Sequence, residues 1–174
     1  MALTKLNNQS LTAVTSAGIP IRSGSVLQVK QTVVTASVSQ AVSNEANFLD
    51  ISGMSVSITP SFSSSKILVT YNVRKSNTVA EQNDCIRLVR GSTNIAISTA
   101  GDTVNGAGFL RDAPGSTPKI YPENFTFLDS PSTTSSTTYK IQWSGSNGTL
   151  YLNRRGQDND FGAVSTITVM EIAG

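Results

Sequence analysis

The chain has 174 residues, of which 38% are hydrophobic and 14% charged, with a formal net charge of +2. That length suits one domain with a proper core, and a near-neutral chain with scattered Lys and Arg argues against the clustered basic face of a nucleic-acid binder. With no histidine and a single cysteine, Cys85, an intramolecular disulfide and the Ser-His-Asp and Cys-His catalytic arrangements are excluded.

Serine and threonine make up roughly a quarter of the residues. Threonine and valine suit a pleated strand and serine and glycine its turns, so the composition points to an all-β chain. Met1 to Ser10 carries one lysine and no following apolar run, unlike a signal peptide, and no stretch approaches the length needed to cross a bilayer. The expectation is a protein made in a reducing cytosol and released, if at all, by cell lysis.

Met1 to about Ser25 stands apart. Leu3, Leu6, Leu11, Val14, Ile19 and Ile21 are scattered among polar residues, with Gly18, Pro20 and Gly24 near the end of the segment. Leu3, Leu6 and Leu11 would make a turn or two of helix, too short to stand alone. Residues 1–24 therefore read as an arm that is ordered against something else, the plainer alternative being a frayed terminus.

From Val26 onward the pattern is a succession of strands. Leu27, Val29, Gln31 and Val33 alternate with opposite-face residues, and Phe48 to Ile58 holds two apolar alternations broken at Gly53, which predicts a bulge or kink. Lys66 to Arg74 sets Ile67, Val69, Tyr71 and Val73 on one face. Asp84 to Ser98 reads as a hairpin, with Ile86 and Leu88, a turn at Gly91-Ser92, then Ile95 and Ile97. Thr99 to Pro122 is the least regular stretch, holding Pro114, Pro118 and one apolar pair, Phe109-Leu110; loops of such length are often functional.

Asn124 to Leu128, Thr138 to Trp143, Thr149 to Asn153 and Ser165 to Ile172 complete the set, with Tyr139, Ile141 and Trp143 in clean alternation, as are Ile167 and Val169. The turn Gly145-Ser146-Asn147-Gly148 joins two of these strands tightly. About eight to ten short strands, no convincing helix and no repeat of roughly 20–50 residues predict an all-β antiparallel β-sandwich or jelly roll over residues 25–174, with an extended N-terminal arm. The last strand runs almost into Ala173-Gly174, so anchoring is expected to fall to the arm.

Little in the sequence carries chemistry. Cys85 opens a strand pattern and reads as a small half-buried hydrophobe rather than a nucleophile. The glycines from Gly101 to Gly108 lack the lysine and following helix of a phosphate-binding loop. Asp102 with Asp112, or Asp158 with Asp160, would supply a glycosidase pair, but only 6% of the chain is aromatic, too little for a sugar-lined groove. Asp158, Asn159 and Asp160 offer oxygen ligands without the spacing of a calcium loop, and read better as solvated turn residues. Asn8, Asn124 and Asn147 begin sequons that a Ser/Thr-rich chain generates by chance. No enzymatic activity, metal or cofactor is expected.

Several segments occur together in an order that carries a resemblance. They are Gly24-Ser25-Val26-Leu27-Gln28-Val29, Leu49 through Pro60 (LDISGMSVSITP), Ser63 through Val69 (SSSKILV), Arg87-Leu88-Val89-Arg90-Gly91-Ser92, Phe127-Leu128-Asp129-Ser130-Pro131, Thr138-Tyr139-Lys140-Ile141-Gln142 and Ser165 through Ile172 (STITVMEI). Over Gly24 to Ile172 the chain resembles a family of small virion structural proteins of tailed phages of marine and freshwater bacteria. The resemblance is weakest from Thr99 to Tyr121.

The resemblance implies a trimeric β-sandwich displayed on the particle. The absence of a stalk or coiled-coil segment favours a capsid decoration (cement) protein, with the major capsid protein as partner and Leu3, Leu6, Leu11, Val14 and Ile19 docking the arm. The alternative is a tail fibre or receptor-binding tip, with tail proteins and a host surface receptor as partners and recognition loops built around Phe109, Arg111, Arg154, Arg155 and Asp158. Neither reading involves nucleic acid or membrane.

Overall fold

The computed structural model describes residues 21–101, 104–111 and 119–174. These form eleven strands and no helix: β1 (Val26–Val34), β2 (Val38–Ala41), β3 (Asn44–Ile58), β4 (Lys66–Asn77), β5 (Asn83–Arg90), β6 (Thr93–Ile95), β7 (Gly108–Arg111), β8 (Tyr121–Asp129), β9 (Thr137–Gly145), β10 (Thr149–Leu152) and β11 (Ser165–Ile172). The arm residues Leu3, Leu6, Leu11, Val14 and Ile19 lie outside the described residues.

The strands make two antiparallel sheets. In the first, β1, β11, β4 and β8 lie side by side, with β10 in line with β11 along the same edge of β4 and β2 beyond β10. In the second the order is β3, β9, β5, with β6 and β7 end to end along the far edge of β5. Early and late strands thus interleave in both sheets, β1 beside β11 and β3 beside β9, as in the interlocked Greek keys of a jelly roll. The fold is the all-β sandwich the alternation predicts.

Strand alternation sends one face of each sheet into a shared core. Ile67, Val69, Tyr71 and Val73 of β4 meet Tyr139, Ile141 and Trp143 of β9 and Ile86 and Leu88 of β5, all buried, with Ile167 and Val169 of β11 beside them. Gly53 takes φ +82°, and β3 outruns β9 between the pairs Asp50–Gln142 and Ser55–Lys140, so the expected bulge is there. The expected hairpin closes at Gly91-Ser92, with Arg90 opposite Thr93 and Gly91 at φ +58°, the left-handed conformation that tight hairpins need.

Some expectations change. The second hairpin strand stops at Ile95, Ala96 turns left-handed at φ +54°, and Ile97 is partly exposed outside any strand. The Gly145–Gly148 turn carries the chain from β9 in one sheet to β10 in the other rather than closing a hairpin. Interactions from elsewhere hold it: Asn77 Nδ2 donates to Asn147 O (3.0 Å) and Val42 N to Gly148 O (2.9 Å). The irregular region after Thr99 contributes β7 and the start of β8. Cys85 is fully buried, not half-buried, and burial pushes its thiol pKa up.

Candidate interaction surfaces

The strand registers give the sandwich two distinct ends. Val26, Ile172, Lys66 and Asp129 lie at one, and Val34, Ser165, Asn77, Asn83 and Arg111 at the other. The described chain enters at the first end, where Gly24 N donates to Ala173 O and Ala173 N to Ser25 O, both at 2.8 Å. Beside this entry Glu171 is fully buried in an inward-facing position of β11. Its carboxylate accepts from Gln28 Nε2 (2.6 Å), Ser61 N (2.6 Å), Ser61 Oγ (3.1 Å) and Ser65 Oγ (2.7 Å). Burial by itself would raise the Glu171 pKa, but these donors outweigh it and hold the group below the usual glutamate range. A second clasp at the same end joins the sheets, with Asp129 accepting two bonds from Arg90 Nη1 (2.7 and 2.8 Å) and one from the Tyr139 hydroxyl (2.6 Å).

At the far end the segment after β10 is a built loop. Asn153, at φ +63°, donates from Nδ2 to Val34 O (2.7 Å) and Ala36 O (3.1 Å) and accepts from Ser165 Oγ (2.6 Å). A bridge between Arg154 and Gly162 closes the loop. The Arg154 guanidinium lies over the Tyr151 ring at 4.0 Å and that of Arg155 over Phe161 at 4.4 Å. Arg155 Nε also donates to Asp158 Oδ1 (2.9 Å), and Asp160 stands 3.7 Å from Arg155. The Arg155 guanidinium holds the Asp158 carboxyl below the usual range.

The sequence-predicted recognition residues thus fall into two groups. Arg154, Arg155 and Asp158 come together in this loop. Phe109 and Arg111 sit on β7, opposite Cys85 and Asn83 at the edge of the second sheet, with Phe109 61% exposed. Among the described residues no group of three or more His, Cys, Asp or Glu is placed to hold a metal.

The largest feature missed from sequence is the outer face of the first sheet. Register aligns Val29, Met170, Leu68 and Leu128 in one row across β1, β11, β4 and β8. The next rows are Gln31, Thr168, Thr70 and Thr126, then Val33, Thr166, Asn72 and Asn124. None of these residues is charged, and Val29, Val33 and Leu128 are each just over half exposed, at 51%, 51% and 53%. Threonine and glutamine side chains bond to one another across the face, as in Gln31 Nε2 to Thr168 Oγ1 at 2.7 Å. The signal was present in KILVTYNVR, whose second parity runs Leu68, Thr70 and Asn72 without a charge between Lys66 and Arg74.

No family model matches the chain, and no curated protein matches it. Solved structures similar to it include chains of infectious bursal virus-derived T=1 particles (TM-score 0.42, 11% identity, covering 86% of this chain and 37% of that one). Others are the infectious bursal disease virus Gt strain (TM-score 0.41, 13% identity, 87% and 39%) and the VP2 subviral particle of that virus (TM-score 0.39, 12% identity, 86% and 39%). The chain spans less than two fifths of the length of those viral chains.

Proposed function

We propose that the chain is a non-enzymatic structural protein of a virus particle, and more specifically a trimeric decoration (cement) protein on the capsid of a tailed phage. The observation that carries this reading is the uncharged, half-exposed outer face of the first sheet. Its apolar row of Val29, Met170, Leu68 and Leu128, bordered by uncharged hydroxyls and amides, is the kind of exposed apolar surface that supports association, and we assign it to self-association into a symmetric trimer. Residues 1–24 form the docking arm and residues 25–174 the displayed domain. The described chain enters beside Gln28 and Glu171, at the opposite end of the sandwich from the Arg154–Asp160 loop, which supports a capsid-facing base and an outward loop.

In this role binding acts by mass action, since a ligand of the assembled shell alone stabilises the shell. Burial of Leu3, Leu6, Leu11, Val14 and Ile19 against the major capsid protein, at roughly 25 cal/mol per Å², contributes several kcal/mol per arm before ordering is subtracted. Three arms on one trimer then reinforce each other through effective concentration. Neither nucleic acid nor membrane enters the scheme.

One observation favours a second reading, a tail fibre or receptor-binding tip. Aromatic-backed guanidiniums on a rigid loop, Arg154 on Tyr151 and Arg155 on Phe161, form the kind of platform that loops on a fixed scaffold use for recognition. In that case tail proteins hold the base and Phe109 and Arg111 extend the contact to a host surface receptor.

The deciding experiment is immunogold labelling of intact particles with an antibody raised against the folded protein. Gold spread over the heads is expected. Gold confined to tails moves the argument to the loop residues, and unlabelled, antibody-accessible particles overturn the virion role altogether. On the capsid reading, removing residues 2–19 leaves the sandwich folded but abolishes incorporation.

A further inference from the structure

Lys75 occupies an inward position of β4, in the same parity as Ile67, Val69, Tyr71 and Val73, and its side chain is 0% exposed. Its Nζ has no hydrogen-bond partner. Two carboxylates from different strands flank it: Asp84 Oδ2 on β5, in the opposite sheet, at 3.8 Å, and Glu123 Oε1 on β8 at 3.7 Å. Both acids are largely buried, their side chains 7% and 16% exposed.

A buried ion pair that holds a fold together closes to charge-assisted hydrogen bonds of about 2.7–2.9 Å and satisfies every donor. Here an ammonium would be stripped of water without one such bond, among the most unfavourable placements a lysine can have. Lys75 Nζ instead stands 3.8 Å from Asp84 Oδ2 with no hydrogen bond to hold it there, leaving it able to make the closer approach to the carboxyl carbon, about 3–3.5 Å, that a condensation needs.

The surroundings single out one acid as the acceptor. Asp84 Oδ1 accepts from Asn77 Nδ2 at 2.9 Å, which fixes the plane of the carboxyl and leaves Oδ2 as the atom nearest Lys75. Space for both acids comes from glycines. A Cβ at Gly145 would stand 2.9 Å from Asp84 Oδ1, and one at Gly108 would stand 2.7 Å from Glu123 Oε2.

We propose that Lys75 and Asp84 condense into an intramolecular amide that covalently staples the two sheets, with Glu123 as proton carrier. The neutral Lys75 amine adds to Cγ of the protonated Asp84 carboxyl, forming the Nζ–Cγ bond. Glu123 takes the proton shed by nitrogen and delivers it to the departing hydroxyl. The Cγ–O bond then breaks, one water leaves, and Glu123 returns to its starting state. Starting from ammonium and carboxylate the net change is a neutral amide plus water, so charge balances and no oxidant, reductant or cofactor takes part.

Water opposes amide formation, but pre-positioned groups reach effective molarities on the order of 10⁵ M or more. Two buried charges are also replaced by one neutral amide, which removes their desolvation penalty. A chain with a single, buried cysteine gains by this route a covalent cross-link that needs no oxidising compartment. The inference is independent of the virion role.

The test is the intact mass of the full-length protein under denaturing conditions, followed by proteolysis and fragment sequencing. The expected result is a mass lower than that of the sequence by one water, with Lys75 and Asp84 in one joined peptide. Lys75→Arg and Glu123→Gln should restore the full mass. A wild-type chain at full sequence mass overturns the proposal, and this readout does not depend on any variant folding. Loss of water that survives Lys75→Arg indicates a cyclic imide at an aspartate and overturns it equally. A peptide joining Lys75 to Glu123 overturns the assignment of Asp84 as acceptor.

Discussion

On the outer face of the second sheet, Asp50 accepts from Lys140 Nζ (2.8 Å) and Gln142 Nε2 (2.7 Å), while Gln142 Oε1 accepts from Arg87 Nη2 (2.6 Å). The Arg87 guanidinium in turn lies over Phe48 at 3.9 Å. On the outer face of the first sheet the corresponding positions are Leu68, Thr70, Thr126, Leu128, Thr168 and Met170. Both faces come from antiparallel strands of similar length. The charged face is complete as it stands, since its long side chains cover their own apolar stems and remain hydrated. The other presents the apolar side chains of Val29, Leu68, Leu128 and Met170, which water serves poorly, so the same scaffold carries one finished surface and one that gains by being covered.

The contrast breaks most readily through association. If the proposed trimer forms through the uncharged face, Leu128→Lys should leave only monomers, read by light scattering on a sizing column, with the circular dichroism of the sandwich unchanged. Gln142→Lys on the opposite face should leave the mass untouched. The reverse result would assign the interface to the wrong sheet.

The next largest effect is in stability. Glu171→Ala leaves the Ser61, Ser65 and Gln28 donors without their acceptor, and should lower stability by about 3 kcal/mol, seen as a drop on the order of 10 °C in Tm. Acid should reproduce part of that loss. Because the folded Glu171 carboxyl titrates below its ordinary value of 4.5, its contribution is fully present above the unfolded value and disappears as pH falls through the folded one. The Tm gap between wild type and Glu171→Gln should therefore be constant near neutrality and narrow as pH falls below 4.5 toward the depressed folded value. A gap independent of pH would mean that the site binds a protonated acid.

The smallest effect belongs to the charged face. Asp50 is held below the usual aspartate range chiefly by the hydrogen bond from Lys140, but its side chain is 54% exposed. Asp50→Ala should cost less than about 1 kcal/mol and less again at high salt, measurable by denaturant titration. A loss several times larger would make this network structural and erase the distinction between the faces.

Much of the sandwich was legible because burial on one side writes a period of two into the chain. The inward parities of β4, β9 and β11 follow from Val69, Ile141 and Ile167 with no structure at hand, and Gly53 and Gly91 announce the bulge and the hairpin. Lys75 and Glu171, charged residues that continue these inward parities, were not singled out from the sequence. What each one meets was not legible. Asp84 and Glu123 arrive on strands nine and forty-eight positions further along the sequence, in different sheets, and Ser61 and Ser65 belong to a turn with no pattern of its own. Asp158 beside Arg155 was visible as a solvated turn; that the arginines would be laid on Tyr151 and Phe161 was not.

By itself the sequence determined the all-β class, the positions of most strands and turns, and the absence of histidine-based chemistry, since each of these depends on residue type or on spacing within a few residues. Only the tertiary structure decided that β9 crosses to the other sheet before β10, that uncharged rows from four strands merge into one open face, and that a lysine and two acids converge in the core. Alternation is a local property of the backbone, whereas pairing and register between distant strands are settled by how two inner faces pack together.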